Sequence, residues 1–142
     1  LPLDKYRIPA FVYAPNFIKP QKVNTLVSQI DLMPTVFGLL NFSYQSKFYG
    51  QDIFKPTYSP RAFIATYQDL GLIKNNKLTI ISPVKKVKQF ELIEQTNNKL
   101  GADFQLYYEE KPLEKIDASL EKSTISFYQT ASYLLKNKKL NK

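Results

Sequence analysis

Few residues in this chain are equipped for chemistry, and the residue types it lacks narrow the options further. Its 142 residues include no histidine and no cysteine. A thiol nucleophile, a disulfide, a His-ligated zinc site, histidine acid–base work and a Ser-His-Asp triad are therefore excluded within the chain. Ser28 would serve as a nucleophile only beside a base, and the sequence places none near it. Asp31 stands immediately before an apolar stretch at helical spacing. It reads either as a metal ligand or base, or as a helix N-cap; an aspartate before a helix needs no other role, so the N-cap is adopted. Thr35, one turn on, reads as a local hydrogen-bonding residue. Asp52 and Asp69 lie close to glycines, and turn chemistry explains both. Glu109 and Glu110 are adjacent on an expected strand, so they point to opposite faces and cannot share acid–base work. Tyr67, Tyr107, Tyr108, Tyr128 and Tyr133 offer a stacking surface for bases or sugars, but their spacing fits the boundary of an ordinary core better. There is no glycine-rich phosphate loop and no metal-ligand cluster, so no catalytic, cofactor-binding or metal residue is assigned.

Charge gives a second constraint. Twenty Lys+Arg against twelve Asp+Glu leave a formal charge of +8, and only Arg7 and Arg61 are arginine. Specific phosphate or nucleic-acid recognition leans on the bidentate arginine fork, so no nucleic-acid partner is expected. A lysine surplus suits solubility or loose attraction to anionic lipid. The run Lys85-Lys86-Val87-Lys88 is read as a solvated turn rather than a phosphate site.

The elements that must position these residues follow from pattern. Ile8 to Ala14 is a near-continuous apolar run, with Pro9 inside it and Pro15 after it, which suits an edge strand or one buried on both faces. After a loop, Met33, Val36, Phe37 and Leu40 form a helical stripe with Pro34 in its first turn, and Asn41 is placed to close the helix in the left-handed region. Gly38 within it marks a close approach. Gly50-Gln51-Asp52 reads as a turn. The proline-bearing stretch from Lys55 to Pro60 sets an expected boundary, dividing the chain into 1–56 and 57–142. Beyond it, Arg61–Tyr67, Lys77–Ser82, Val87–Glu94 and Phe104–Tyr108 read as strands of an antiparallel meander, with a turn at Asp69–Gly71 and a hairpin connection at Lys74–Lys77. Leu113 to Leu135 reads as a long helix opened by Pro112. The expected fold is α/β (α+β as a fragment): an edge strand and helix, then a small antiparallel sheet of about four strands and a long C-terminal helix. Leu1 is neither a methionine nor the start of a leader or a long apolar run, so an excised segment is expected, with any membrane anchor upstream.

Three stretches carry a resemblance: Tyr6-Arg7-Ile8-Pro9-Ala10-Phe11-Val12-Tyr13-Ala14-Pro15, then Ser28-Gln29-Ile30-Asp31-Leu32-Met33-Pro34-Thr35, then Tyr49-Gly50-Gln51-Asp52. In this order and at about this spacing they resemble the C-terminal part of the sulfatase branch of the alkaline-phosphatase superfamily, nearest to lipoteichoic-acid-synthase-like phosphoglycerol transferases. The likeness is good over residues 6 to 54, looser over Arg61 to Gly71, and one of layout beyond. It implies an extracytoplasmic, membrane-anchored parent that uses a divalent metal (Mn, Mg, Zn or Ca) and a covalent threonine intermediate. The family's nucleophile lies far upstream, and its metal-binding Asp-His pair precedes the first of these stretches. With no histidine here, no catalytic or metal residue is carried over. Pro9, Pro15, Ser28, Asp31, Pro34, Thr35 and Gly50 match motif positions read as structural. The missing cysteines depart from the disulfide-rich phosphoethanolamine transferases, whereas arylsulfatases share the early motifs and stay open. The expectation is a non-catalytic fragment whose partner is the remainder of the parent catalytic domain, with anionic lipid head groups as a further partner. The alternatives are a stand-alone basic module binding anionic lipid or polyanion, and a purely structural domain.

Overall fold

A computed structural model describes residues 3–96 and 106–139. A single turn of 3-10 helix at Leu3–Tyr6 opens it, and a long irregular stretch leads to a second such turn at Gln29–Asp31. Helix α1 (Leu32–Leu39) follows directly. After a further irregular stretch come five strands, β1 (Ala62–Ala65), β2 (Leu70–Lys74), β3 (Lys77–Ser82), β4 (Lys86–Thr96) and β5 (Leu106–Pro112), and then helix α2 (Ala118–Lys136). The strands form one antiparallel sheet in the order β1-β2-β3-β4-β5, each paired with its neighbour in sequence. Among the described residues no helix is long and apolar enough to cross a membrane.

The meander is written in its turns. Asn75 and Asn76 join β2 to β3 with φ of 52° and 55°, the two-residue left-handed turn that asparagine tolerates and that matches strand twist. Between β1 and β2 the Thr66 hydroxyl accepts from the backbone N–H of Gln68 and of Asp69, tying the four-residue loop. Alternation along the strands gives two faces. One carries Ile64, Leu78, Ile80 and Leu92, which pack with Leu3 from the first turn of the chain. The Tyr6 hydroxyl donates to the Ala65 carbonyl and fastens that turn to the sheet. The other face, bearing Phe63, Leu72, Thr79 and Gln89, receives α2. Leu72, Thr79 and Thr124 are wholly buried there, and Phe127 meets Phe63 edge-on at 5.1 Å. Gln89 fixes where the helix begins: its amide donates to Thr79 Oγ1 and to the Asp117 carbonyl, and its Oε1 accepts from Asp117 N.

Several expectations shift. Five strands replace four, because Leu70 to Lys74 is a strand and the turn before it is Thr66 to Asp69. Gly71 misdirects the sequence reading. It sits inside β2, where the Tyr128 hydroxyl approaches its carbonyl at 2.7 Å. The strand expected from Phe104 begins at Leu106 and runs to Pro112, with 104 and 105 outside the described residues. Pro112 therefore ends edge strand β5 rather than opening the helix. Helix α2 starts five residues later than expected, at Ala118, because Asp117 caps it by accepting from Ser119 N and Leu120 N. Ile8 to Ala14 joins no ladder: a lone strand cannot satisfy its own backbone, and no described strand lies beside it.

The β3–β4 turn, Pro83-Val84-Lys85, holds Val84 at φ 62° with its side chain 98% exposed. A β-branched residue in the left-handed region is strained, and packing gives nothing back here. Val84→Asn, which tolerates that region, is expected to raise stability by about 1 kcal/mol in urea unfolding.

Candidate functional site

The motif residues converge on one buried carboxylate. Ser28 precedes the second 3-10 turn, and its backbone N–H donates to Asp31 Oδ2 at 3.1 Å. Asp31 stands at the N-cap position of α1, as expected, but it has helical dihedrals and its side chain does not bond the first turn of the helix, while Ser28 takes the N-cap position of the 3-10 turn before it. Freed from that role, the Asp31 carboxylate, which has no solvent exposure, gathers partners from elsewhere. Oδ1 accepts from Gln51 N at 2.7 Å and from Arg61 Nη2 at 2.9 Å. Oδ2 also accepts from Arg61 Nη1 at 3.3 Å, and the Tyr58 hydroxyl lies 3.0 Å away. The guanidinium lies 5.5 Å from the Tyr58 ring centre and 5.6 Å from that of Phe63. This is a bidentate ion pair with its remaining lone pairs filled, the form in which buried charges are tolerated.

Around it the other motif residues take fixed posts. Thr35 Oγ1 donates to the Asp31 carbonyl at 2.6 Å and accepts from Ile53 N at 3.2 Å, so α1 holds the Gly50–Ile53 segment. Pro34 is buried in the first turn of α1, and Asn41 closes the helix at φ 55°. Gly50 abuts the Ile30 carbonyl so closely that a Cβ would collide with backbone. Gly38 is approached instead by a side chain, the Asp52 carboxylate. Pro9 and Pro15 stand apart from this group on the exposed early stretch. The structure thus brings Ser28, Asp31, Pro34, Thr35 and Gly50 together and leaves the two prolines outside.

Beside the group lies an open cleft of about 200 Å³ lined by Tyr44, Ser46, Gln51, Asp52, Lys55 and Thr57 among others. Asp52 Oδ1 accepts from Phe54 N, and Lys55 makes no ion pair among the described residues. The cleft can hold a small polar group but carries no nucleophile–base pair. Of the tyrosines weighed as a stacking platform, Tyr67 is fully exposed in the β1–β2 turn, while the Tyr128 hydroxyl sits apart against the Ile64 and Gly71 carbonyls. The divalent metal implied by the resemblance finds no fitting donor set. Among the described residues no three His, Cys, Asp or Glu side chains group together, and Asp31 is consumed by Arg61.

The sequence reading missed Arg61 and Tyr58, which fell in an expected strand start and linker. A signal was present: in a chain whose basic residues are almost all lysine, an arginine placed just before a strand marks a site needing the planar fork.

Removing either partner should be costly. Asp31→Ala or Arg61→Ala strands a buried charge, and a loss of about 3–5 kcal/mol in unfolding free energy is expected. The apolar double variant Asp31→Leu/Arg61→Met should lose less than the sum of the single changes. Burial first, then the adjacent Asp31 charge, push the Tyr58 hydroxyl from its ordinary 10.0 up to about 12. Burial likewise raises Tyr128 to about 12. Above the ordinary value the unfolded chain releases these protons while the folded chain keeps them. Their contribution is therefore whole below pH about 10 and lost as pH rises through about 12. Urea midpoints followed across that window should fall, and Tyr58→Phe and Tyr128→Phe should each flatten the fall.

Comparison with known proteins agrees with the motifs. Residues 1–42 match the family model described as Sulfatase. The crystal structure of a protein in the alkaline phosphatase superfamily from Vibrio parahaemolyticus is similar at a TM-score of 0.68 and 25% identity, over 85% of this chain and 27% of that one. The chain thus spans about a quarter of that protein's length. The family match over residues 1–42 and the similar fold over 85% of this chain agree with the resemblance to the sulfatase branch of the alkaline phosphatase superfamily.

Proposed function

We propose that this chain is the non-catalytic C-terminal part of an extracytoplasmic, metal-dependent sulfatase-like enzyme. The parent is a phosphotransferase of the phosphoglycerol type, or a sulfuric ester hydrolase, anchored to the membrane by segments outside this sequence. The chain completes the parent's fold, and its polar cleft borders the substrate. The bond-making residues and the metal ligands belong to the remainder of the parent.

One observation carries this reading. The stretch before α1 is built like a core element but is not covered: Phe11 and Phe17 are each 92% exposed and Tyr13 83%. On α1, Leu32, Met33, Leu39 and Leu40 are likewise exposed. Single exposed apolar residues are ordinary, but a contiguous run marks a surface made to be covered. Backbone from Ile8 to Ala14 without a ladder points the same way, since buried N–H and C=O groups need partners. A sheet strand in a larger domain supplies both. The saturated Asp31 and the missing histidine support the non-catalytic role.

Hydrogen exchange tests the reading. In the 142-residue chain the amides of residues 8–14 should exchange freely. Joined to the sequence encoded upstream of Leu1, the same amides should become protected. The joined protein should hydrolyse a chromogenic phosphodiester or sulfate ester in a metal-dependent way. Turnover by the 142-residue chain alone, or no gain of protection on joining, would overturn the proposal.

A further inference from the structure

One end of the five-stranded sheet has a surface that neither the ion-pair site nor the cleft explains. In an antiparallel meander the β1–β2 and β3–β4 turns lie at the same end, and the Asn75-Asn76 turn lies at the other. At that shared end Tyr67 is fully exposed and Val84 is 98% exposed. Val84 is held at φ 62° and the next residue, Lys85, at 55°, so the turn presents an aliphatic side chain outward at a conformational cost. Lys85 follows it in the turn, Lys86 and Lys88 lie in the first three residues of β4, and none of the three makes an ion pair among the described residues. Against these three cations the two turns carry one carboxylate, Asp69.

We propose that this end of the sheet docks onto an anionic lipid bilayer, with Val84 and Tyr67 entering the interfacial layer and the three lysines meeting the head groups. Each residue type suits that task. A tyrosine at the water–hydrocarbon boundary keeps its hydroxyl wet and its ring dry. Lysine lays its stem along the apolar layer while its ammonium stays with phosphate. Clustered lysines gain from the negative potential of an anionic leaflet. A nucleic acid fits worse: the patch has no arginine to fork onto phosphate or base, and an outward valine contributes nothing to a phosphate backbone. The inference stands on these two turns and does not depend on the catalytic reading of the parent.

The test uses the 142-residue chain and unilamellar vesicles of phosphatidylcholine, with or without phosphatidylglycerol. Co-sedimentation should show binding to the phosphatidylglycerol vesicles that weakens as salt is raised, and little binding to phosphatidylcholine alone. Each lysine neutralised should weaken binding about five-fold, so the triple variant Lys85→Gln/Lys86→Gln/Lys88→Gln should lose about a hundred-fold. Val84→Asn, which the turn accommodates without strain, should weaken it about five-fold. The chain has no cysteine, so Val84→Cys carrying an environment-sensitive dye is a unique probe. Its emission should shift to the blue on phosphatidylglycerol vesicles, while the same dye on Ser119→Cys, at the opposite end of the sheet, should not move. Equal binding to both vesicle types, an unchanged triple variant or an unshifted dye at position 84 would each sink the proposal. Equally tight binding to a short DNA duplex, with Val84→Asn neutral, would replace it with a polyanion site.

Discussion

The Asp31–Arg61 pair is the interaction on which the rest of this structure depends. Both side chains are almost wholly buried, and taking two charges out of water costs several kcal/mol per ion before their attraction is counted. Such a pair persists only if every remaining lone pair and proton is satisfied. The structure meets that demand with parts drawn from four places in the chain: the backbone N–H of Ser28, that of Gln51, the hydroxyl of Tyr58, and the guanidinium at the mouth of β1. The geometry of each part follows. Gly50 must lack a side chain because the Gly50–Gln51 backbone has to come within hydrogen-bond reach of the carboxylate, past the Ile30 carbonyl. Thr35 repeats the arrangement one turn along by holding Ile53. The motif spacing is thus the spacing of contacts around one buried carboxylate.

That explains what could be read from the sequence and what could not. Local geometry was legible. Asn75-Asn76 dictates a tight hairpin and Asn41 a left-handed close, while the strand from Lys77 to Ser82 has the β-branched pattern that a sheet interior wants. Long-range partners were hidden. Asp31 before a helix looks sufficient as a cap, and only its distance in space from Arg61, thirty residues on, shows otherwise. Gly71 broke the β2 pattern in the sequence, and the tyrosine hydroxyl that bonds its carbonyl comes from α2, 57 residues away. The start of α2 was misplaced for the same reason: Leu113 and Ile116 fit helical spacing, but Gln89 holds both backbone groups of Asp117 and sets the cap there. In the site itself the motif residues could be found in the sequence, whereas the cation that organises them could not.

The two parts of the chain differ in how well they bury themselves. From β1 onward the sheet closes its core with one helix and the first turn of the chain, leaving Leu72 and Leu78 without exposure. The stretch from Ile8 to Phe54 leaves a run of aromatic and aliphatic side chains in water. Phe37, Phe42, Tyr44 and Phe48 cluster with ring centres 5.1–5.9 Å apart, yet three of the four remain exposed. That asymmetry is what a segment covering 27% of its structural neighbour's length would show if its first part were shaped against surfaces it does not contain.

The ion pair also decides how these two parts relate. Asp31 belongs to the stretch with the uncovered surface and Arg61 to the self-sufficient sheet. Tyr49, three residues before Asp52, adds a second tie by donating to the Phe127 carbonyl at 2.6 Å and packing on Phe63 and Phe127. A third is the Phe63 backbone N–H, which donates to Ser28 Oγ at 3.5 Å. Three polar ties and a shared aromatic cluster make a hinge at the proline-bearing link expensive, because opening it would expose an unpaired charge on each side. Whatever surface covers the first fifty residues therefore also sets the direction in which the sheet, and the strained valine at its tip, points.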